Sequence, residues 1–192
     1  MSVDLPGFPP LTPAERQELL WLARQGIHAA LHGTTPPECR ALTPALGTPG
    51  AAFVTLHHQG HLRGCIGTLA AERPLHRTVA QMALSAAFDD PRFPPLSMSE
   101  LPGVIIEISR LSLLVPAAPE EVLPGRHGVC VAQGEHRGVL LPQVALEYHW
   151  DRETLLREVC RKALLPPDAW RRPGTTLMLF EAEVFGEDTA YR

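Results

Sequence analysis

No stretch of this 192-residue chain approaches the apolar length needed to span a bilayer. Its first residues, Met1-Ser2-Val3-Asp4-Leu5-Pro6, lack a basic region followed by an apolar run, so no secretory signal is expected. Cysteine is scarce. Cys39, Cys65, Cys130 and Cys160 form no C-x-x-C pair, and their spacings match no zinc, iron–sulfur or haem pattern. A cytoplasmic protein with free thiols and no cofactor is the expectation. There is no glycine-rich phosphate loop, internal repeat or heptad run. The formal net charge of -4 gives no electrostatic case for nucleic acid.

What is present is ordinary in bulk and uneven in detail. Apolar content of 45% and charged content of 20% suit a globular protein, and the chain is long enough for a real core. Proline is abundant, with 20 residues, and its clusters at 6–13, 36–49, 91–95, 116–124 and 166–173 mark element boundaries.

After a proline-rich arm over residues 1–11, Thr12, Pro13 and Glu15 make a capping box that starts a helix. Leu19, Leu22, Gly26, Ile27, Ala30 and Leu31 follow at helical spacing, and Gly33 ends the run. Residues 34–50 read as loop. Pro74 opens a second helix with Leu75, Val79, Met82, Ala83, Ala86 and Ala87 facing inward, and Asp89-Asp90-Pro91 stops it. Residues 104–115 read as one long strand, 127–132 and 137–141 as a hairpin, and 175–185 as a last strand. A short helix follows Pro142. Asp151 caps another, whose apolar stripe is Leu155, Leu156, Val159, Cys160 and Ala163. Hairpins with helices at intervals predict an α+β fold with largely antiparallel sheet and flanking helices.

The chemistry concentrates in a hairpin at residues 51–68. If Leu62 to Ile66 is extended, Leu62 and Ile66 face one way and His61, Arg63 and Cys65 the other. A three-residue loop, His58-Gln59-Gly60, would pair His57 with His61, Leu56 with Leu62 and Thr55 with Arg63, with Gly60 left-handed. Gly64 and Gly67 leave the backbone beside the thiol bare for a ligand or another strand. A thiol beside cationic groups is a candidate reactive cysteine.

These residues resemble the AMMECR-type domain family, whose prokaryotic members are called system protein A of the AmmeMemoRadiSam set. The similarity is carried by Ala52-Phe53-Val54-Thr55-Leu56, Gly60-His61-Leu62-Arg63-Gly64-Cys65-Ile66-Gly67-Thr68 and Asp90-Pro91-Arg92-Phe93-Pro94-Pro95-Leu96. Further matches are Ile106-Glu107-Ile108-Ser109, His127-Gly128-Val129, Gly138-Val139-Leu140-Leu141-Pro142-Gln143-Val144-Ala145, and Trp150-Asp151 with Cys160. It spans roughly residues 12–186, several motifs in the same order. Leu69 stands where a Phe is common, and Leu164-Leu165 where the family often has Gly-Leu. The resemblance implies a single domain over residues 1–192 with a larger and a smaller lobe and a cleft bordered by Arg63-Gly64-Cys65-Ile66-Gly67. It also implies association with a Memo-type protein and a radical-SAM enzyme. This chain has no cysteine trio for an iron–sulfur cluster and is not that enzyme itself. The resemblance supplies no established activity.

Two readings of the site follow. In the first, the chain is an enzyme or enzyme subunit acting on a small anionic substrate. Cys65 is then the nucleophile or thiol contact, Arg63 and Arg92 clamp the anion, and Glu107 or a nearby histidine carries the proton. Gly64, Gly67, Thr68, His61 and Gln143 complete the ligand-binding set. In the second, the same residues recognise a partner protein, a peptide or an RNA element, and the chemistry belongs to the radical-SAM partner. Each residue also has a plainer job. Cys65 would pack between glycines, Arg92 would bridge to Asp89 or Asp90, and Gln143 would bridge backbone groups. Glu107, among isoleucines, would face solvent or pair with Arg63 or Arg92. His57, His58 and His61 cluster, but two histidines across a hairpin need a third ligand to hold a metal, and no metal is assigned.

Overall fold

The computed structural model describes residues 8–187; the arm expected over residues 1–11 falls outside them up to residue 7. The chain divides into two compact units, one of Pro9–Leu111 with residues 183–187, the other of Ser112–Ala182 with Phe8.

In the first unit, Thr12 caps helix α1 (Pro13–His32) with the predicted capping box, and Gly33 closes it in the left-handed conformation. Leu19, Leu22, Gly26 and Ile27 are buried as predicted, although Ala29 rather than Ala30 is the buried alanine of the last turns. The segment expected to be loop contains a short helix, α2 (Pro44–Gly47), capped by the Thr43 side chain. Strands β1 (Ala51–His58) and β2 (His61–Thr68) form the central hairpin, followed by α3 (Leu75–Phe88) and β3 (Val104–Leu111). With β8 (Ala182–Gly186) they make an antiparallel sheet of order β2-β1-β3-β8. One sheet face carries Ala52, Val54, Leu56, Ile106 and Ile108, all fully buried in one core with the inward residues of α1 and α3. That burial is the main stabilising term of the unit.

The second unit holds a sheet of order β4-β7-β5-β6, built from β4 (Val115–Pro116), β5 (Gly128–Gln133), β6 (His136–Leu140) and β7 (Thr176–Phe180). Helices α4 (Pro142–Glu147) and α5 (Arg152–Lys162) follow the β5–β6 hairpin, and Asp151 caps α5 through its carboxylate. Leu155, Leu156, Val159 and Cys160 of α5 join Val129, Val131 and Leu179 in a second core. Gly138 permits this approach, because a Cβ there would lie 2.5 Å from the Val159 carbonyl oxygen.

Two sequence expectations need correction here. Residues 104–115 and 175–185 each read as one strand, and each is two strands belonging to different sheets. The breaks coincide: the Ser112 N–H donates to the Glu181 carbonyl at 2.9 Å, and the Glu181 N–H donates to the Ser112 hydroxyl at 2.9 Å. An unbroken apolar pattern cannot register this, because β-branched residues suit either sheet equally.

Candidate functional site

The hairpin turn is tighter than expected. Gln59 and Gly60 alone form it, with φ of 53° and 78°, and His58 pairs with His61. This is the two-residue turn that matches strand twist. His57 therefore lies opposite Leu62, not His61. The register then shifts between Leu56 and His57, so that Leu56 meets Gly64, Thr55 meets Cys65 and Val54 meets Ile66. Arg63 is the extra residue of a β-bulge. The expectation that Leu62 shares a face with Ile66, and that His61 shares one with Cys65, is thereby overturned. Leu62 is 41% exposed on the face of His57, and Ile66 packs against the core.

The bulge places Cys65 on the face turned away from the core. Across three strands the residues in register are Cys65, Thr55 and Glu107, a thiol, a hydroxyl and a carboxylate in one row. The Thr55 hydroxyl donates to the Cys65 sulfur at 3.3 Å. The next row is Gly67, Phe53 and Ser109. Phe53 lies over Gly67, where a Cβ would come within 2.2 Å of its ring. Ser109 is 1% exposed, and its hydroxyl has no hydrogen-bond partner among the described residues. Gly64 faces the other way and admits helix α3, since a Cβ there would lie 2.1 Å from the Ala86 carbonyl oxygen. The two glycines beside the thiol thus make room for the protein's own ring and helix.

Strand β2 is an edge strand. The outward peptide groups at Cys65 are taken by the segment after α3. Asp90, buried at 2% side-chain exposure, accepts the Cys65 N–H at 2.8 Å, and Arg92 Nη2 donates to the Cys65 carbonyl at 3.2 Å. Arg92 also grips Asp90 in a fork, Nε to Oδ1 at 2.9 Å and Nη2 to Oδ2 at 2.7 Å. The Arg92 hydrogen bond, then the Cys65 N–H, hold the Asp90 carboxyl far below the usual carboxylate range, and Asp90 raises Arg92 in turn. Arg63 turns to Glu100, with Nε to Oε1 at 2.8 Å and Nη2 to Oε2 at 3.3 Å, and reaches the Pro95 carbonyl. Arg63, and then the Ser97 hydroxyl and N–H, lower Glu100 to about 2. Both guanidinium groups lie over the Phe93 ring, Arg63 at 5.9 Å and Arg92 at 5.5 Å from its centre.

His61 and Thr68 belong to the same hairpin but not to this row. His61 is exposed at the turn, and Thr68 at the end of β2 accepts the Ala70 N–H. Gln143 opens α4 in the other unit, its side-chain oxygen buried without a partner among the described residues. No group of three His, Cys, Asp or Glu side chains among the described residues is placed to hold a metal ion. Neither arginine takes Glu107 as its forked partner; Glu100 and Asp90 have those places. Sequence reading missed Thr55 and Glu100 and gave Asp90 only a helix-end role. Ser97-Met98-Ser99-Glu100 has capping-box spacing, and that was the available signal for Glu100.

Two antiparallel sheets with flanking helices, and a thiol row on one of them, define the class as an α+β domain protein. An uncharacterised protein from Pyrococcus horikoshii, PH0010, has the same fold in its crystal structure, with a TM-score of 0.83 and 36% identity over 88% of this chain and 90% of that one. Protein PF1979 of Pyrococcus furiosus is 40% identical, covering 88% of this chain and 87% of its own. A protein of Methanothermobacter thermautotrophicus is 38% identical over 94% and 98%. The AMMECR1 family model matches residues 20–185, and the chain belongs to that family.

Proposed function

We propose that this AMMECR1-family chain is a recognition module, working in the cytoplasm beside a Memo-type protein and a radical-SAM enzyme, and that the Cys65–Thr55–Glu107 row is its contact face. One observation supports this above others: both arginines that would clamp an anion are already forked onto carboxylates, Arg63 on Glu100 and Arg92 on Asp90. The Cys65 sulfur receives a hydrogen bond from a threonine hydroxyl, which is not a general base at neutral pH. Of the two forked arginines Arg92, 53% exposed at its side chain against 11% for Arg63, is the one open to a partner.

A catalytic thiol is the second reading, favoured by the two-sided grip on the Cys65 peptide. Capture of a Memo-type partner by the wild-type, Cys65→Ser, Thr55→Val and Arg92→Ala chains, with a cellular complementation assay, separates the two. Recognition predicts that Cys65→Ser, which keeps a small polar group opposite Thr55, retains capture and complementation, and that Arg92→Ala weakens both. A folded Cys65→Ser chain that captures the partner yet abolishes complementation would refute recognition in favour of thiol chemistry.

A further inference from the structure

We infer that Asp90 is the positioning residue of the Cys65 thiol, and that Asp90 and Arg92 together stand in for the neighbouring strand that β2 lacks. In an antiparallel edge strand, every second residue turns its N–H and C=O away from the sheet. Cys65 is such a residue, since its N–H and carbonyl meet side chains of residues 90 and 92. A real neighbouring strand would offer a carbonyl to that N–H and an amide to that carbonyl. Here the Asp90 carboxylate replaces the carbonyl, and the Arg92 guanidinium replaces the amide. The imitation is charge-assisted and therefore stronger than a strand's own ladder.

Asp90 is the centre of this arrangement. It accepts from four donors, the Cys65 N–H at 2.8 Å and the Arg92 N–H, Nε and Nη2 at 3.1, 2.9 and 2.7 Å. It is 3% exposed, so no water shell competes for those oxygens. The grip fixes the Cα of Cys65, and with it the line from the sulfur to the Thr55 hydroxyl and on to Glu107. The neighbouring Arg63–Glu100 pair fastens the same segment to the same strand without touching the Cys65 peptide. It is a built-in control.

The functional meaning of this inference rests on the reading of the Cys65 face as the working site, but its test does not. Protein labelled with 15N-cysteine gives a Cys65 amide resonance, assigned by its loss in Cys65→Ser. Asp90→Asn is expected to move that resonance, to speed exchange of that amide roughly tenfold or more, and to change the rate of Cys65 alkylation by iodoacetamide at least several-fold. Buried Cys130 and Cys160 should stay protected. Glu100→Gln should leave the Cys65 resonance and alkylation rate within about twofold of wild type. Equal effects from Asp90→Asn and Glu100→Gln would show a general loosening of the segment and overturn the inference, as would a folded Asp90→Asn with unchanged Cys65 exchange and alkylation. Should Asp90→Asn fail to fold, Arg92→Ala carries the test, because it removes the donor to the Cys65 carbonyl and two of the four donors that hold Asp90 while leaving the Asp90 carboxylate on the Cys65 N–H. Alkylation unchanged there is equally fatal. A moved Cys65 signal with undiminished partner capture would leave the positioning role standing and remove the proposed function instead.

Discussion

Replacing Gly64 by alanine adds one methyl group and should destabilise the chain about as much as a core truncation does. The new Cβ would lie 2.1 Å from the Ala86 carbonyl oxygen and 3.1 Å from its carbon. Real Cβ atoms essentially never come closer than 3.0 Å to a heavy atom, so strand and helix must separate by about 3.0 − 2.1, or 0.9 Å. The obstructing atom is backbone, so no rotamer change relieves it. Ala86 is 1% exposed and its neighbours Ala83 and Ala87 are equally buried, so α3 has no slack on that side. Overpacking of this kind costs about 3 kcal/mol or somewhat more. For a chain of this size that is a fall in Tm of about 6–12 °C. Gly26 provides the matched control, because a Cβ there meets nothing within 4 Å and the residue lies inside α1. Gly26→Ala should stabilise by about 0.5–1 kcal/mol through helix propensity. Both are read by chemical denaturation at neutral pH. A Gly64→Ala protein within about 0.5 kcal/mol of wild type would refute the argument that this glycine exists to seat α3.

The ionisable groups give two further outcomes. Arg63 holds the Glu100 carboxyl at about 2, below its ordinary 4.5, so its stabilisation is full above about 4.5 and is lost as pH falls toward 2. Between pH 6 and pH 2 the wild type should lose on the order of 2–3 kcal/mol more than Glu100→Gln in paired denaturation curves, and parallel losses would sink that assignment. Burial, then Arg126, pushes the His127 imidazole below its ordinary value of 6.5, so its neutral form is the one that folds. Stability from this group is full above pH 6.5 and declines as pH falls below it, and His127→Gln should flatten the wild-type slope between pH 7 and pH 5.

Much of the fold was legible because its signals are local. The Thr12–Glu15 box, the Asp151 cap and the α3 stripe each need only neighbouring residues, and the structure has all three. The second hairpin came within one residue of its observed ends, with Gly134 at positive φ in its turn. The helix Pro44–Gly47 was missed although Thr43 and Pro44 announce it, since four residues carry no periodicity to read. The split strands were illegible for a different reason. Which of two sheets claims Val115 or Phe185 depends on cores assembled from residues distant in sequence. The partners of Arg63 and Arg92 divide the same way: Asp90 is two residues from Arg92, and Glu100 is 37 from Arg63.

The bulge at Arg63 was the costliest omission, and it is also what makes the site. Carried on from the two-residue turn without a bulge, the pairing would set Leu56 against Arg63, Thr55 against Gly64 and Val54 against Cys65. Arg63 would then point into the layer beneath α3, where Gly64 now admits the Ala86 carbonyl, and Ile66 would leave the core. An unpaired guanidinium under a helix and a lost isoleucine together outweigh the ladder hydrogen bonds a bulge gives up. The sheet therefore inserts one residue, and the insertion has two outcomes at once. Arg63 swings aside to Glu100, and Cys65 crosses to the face of Thr55 and Glu107. The local strain of an edge bulge would leave the next peptide loose, and the next outward peptide is that of Cys65. Asp90 and Arg92 grip that peptide. Core packing thus selects the face on which the thiol stands, and a buried carboxylate then fixes where on that face it stays.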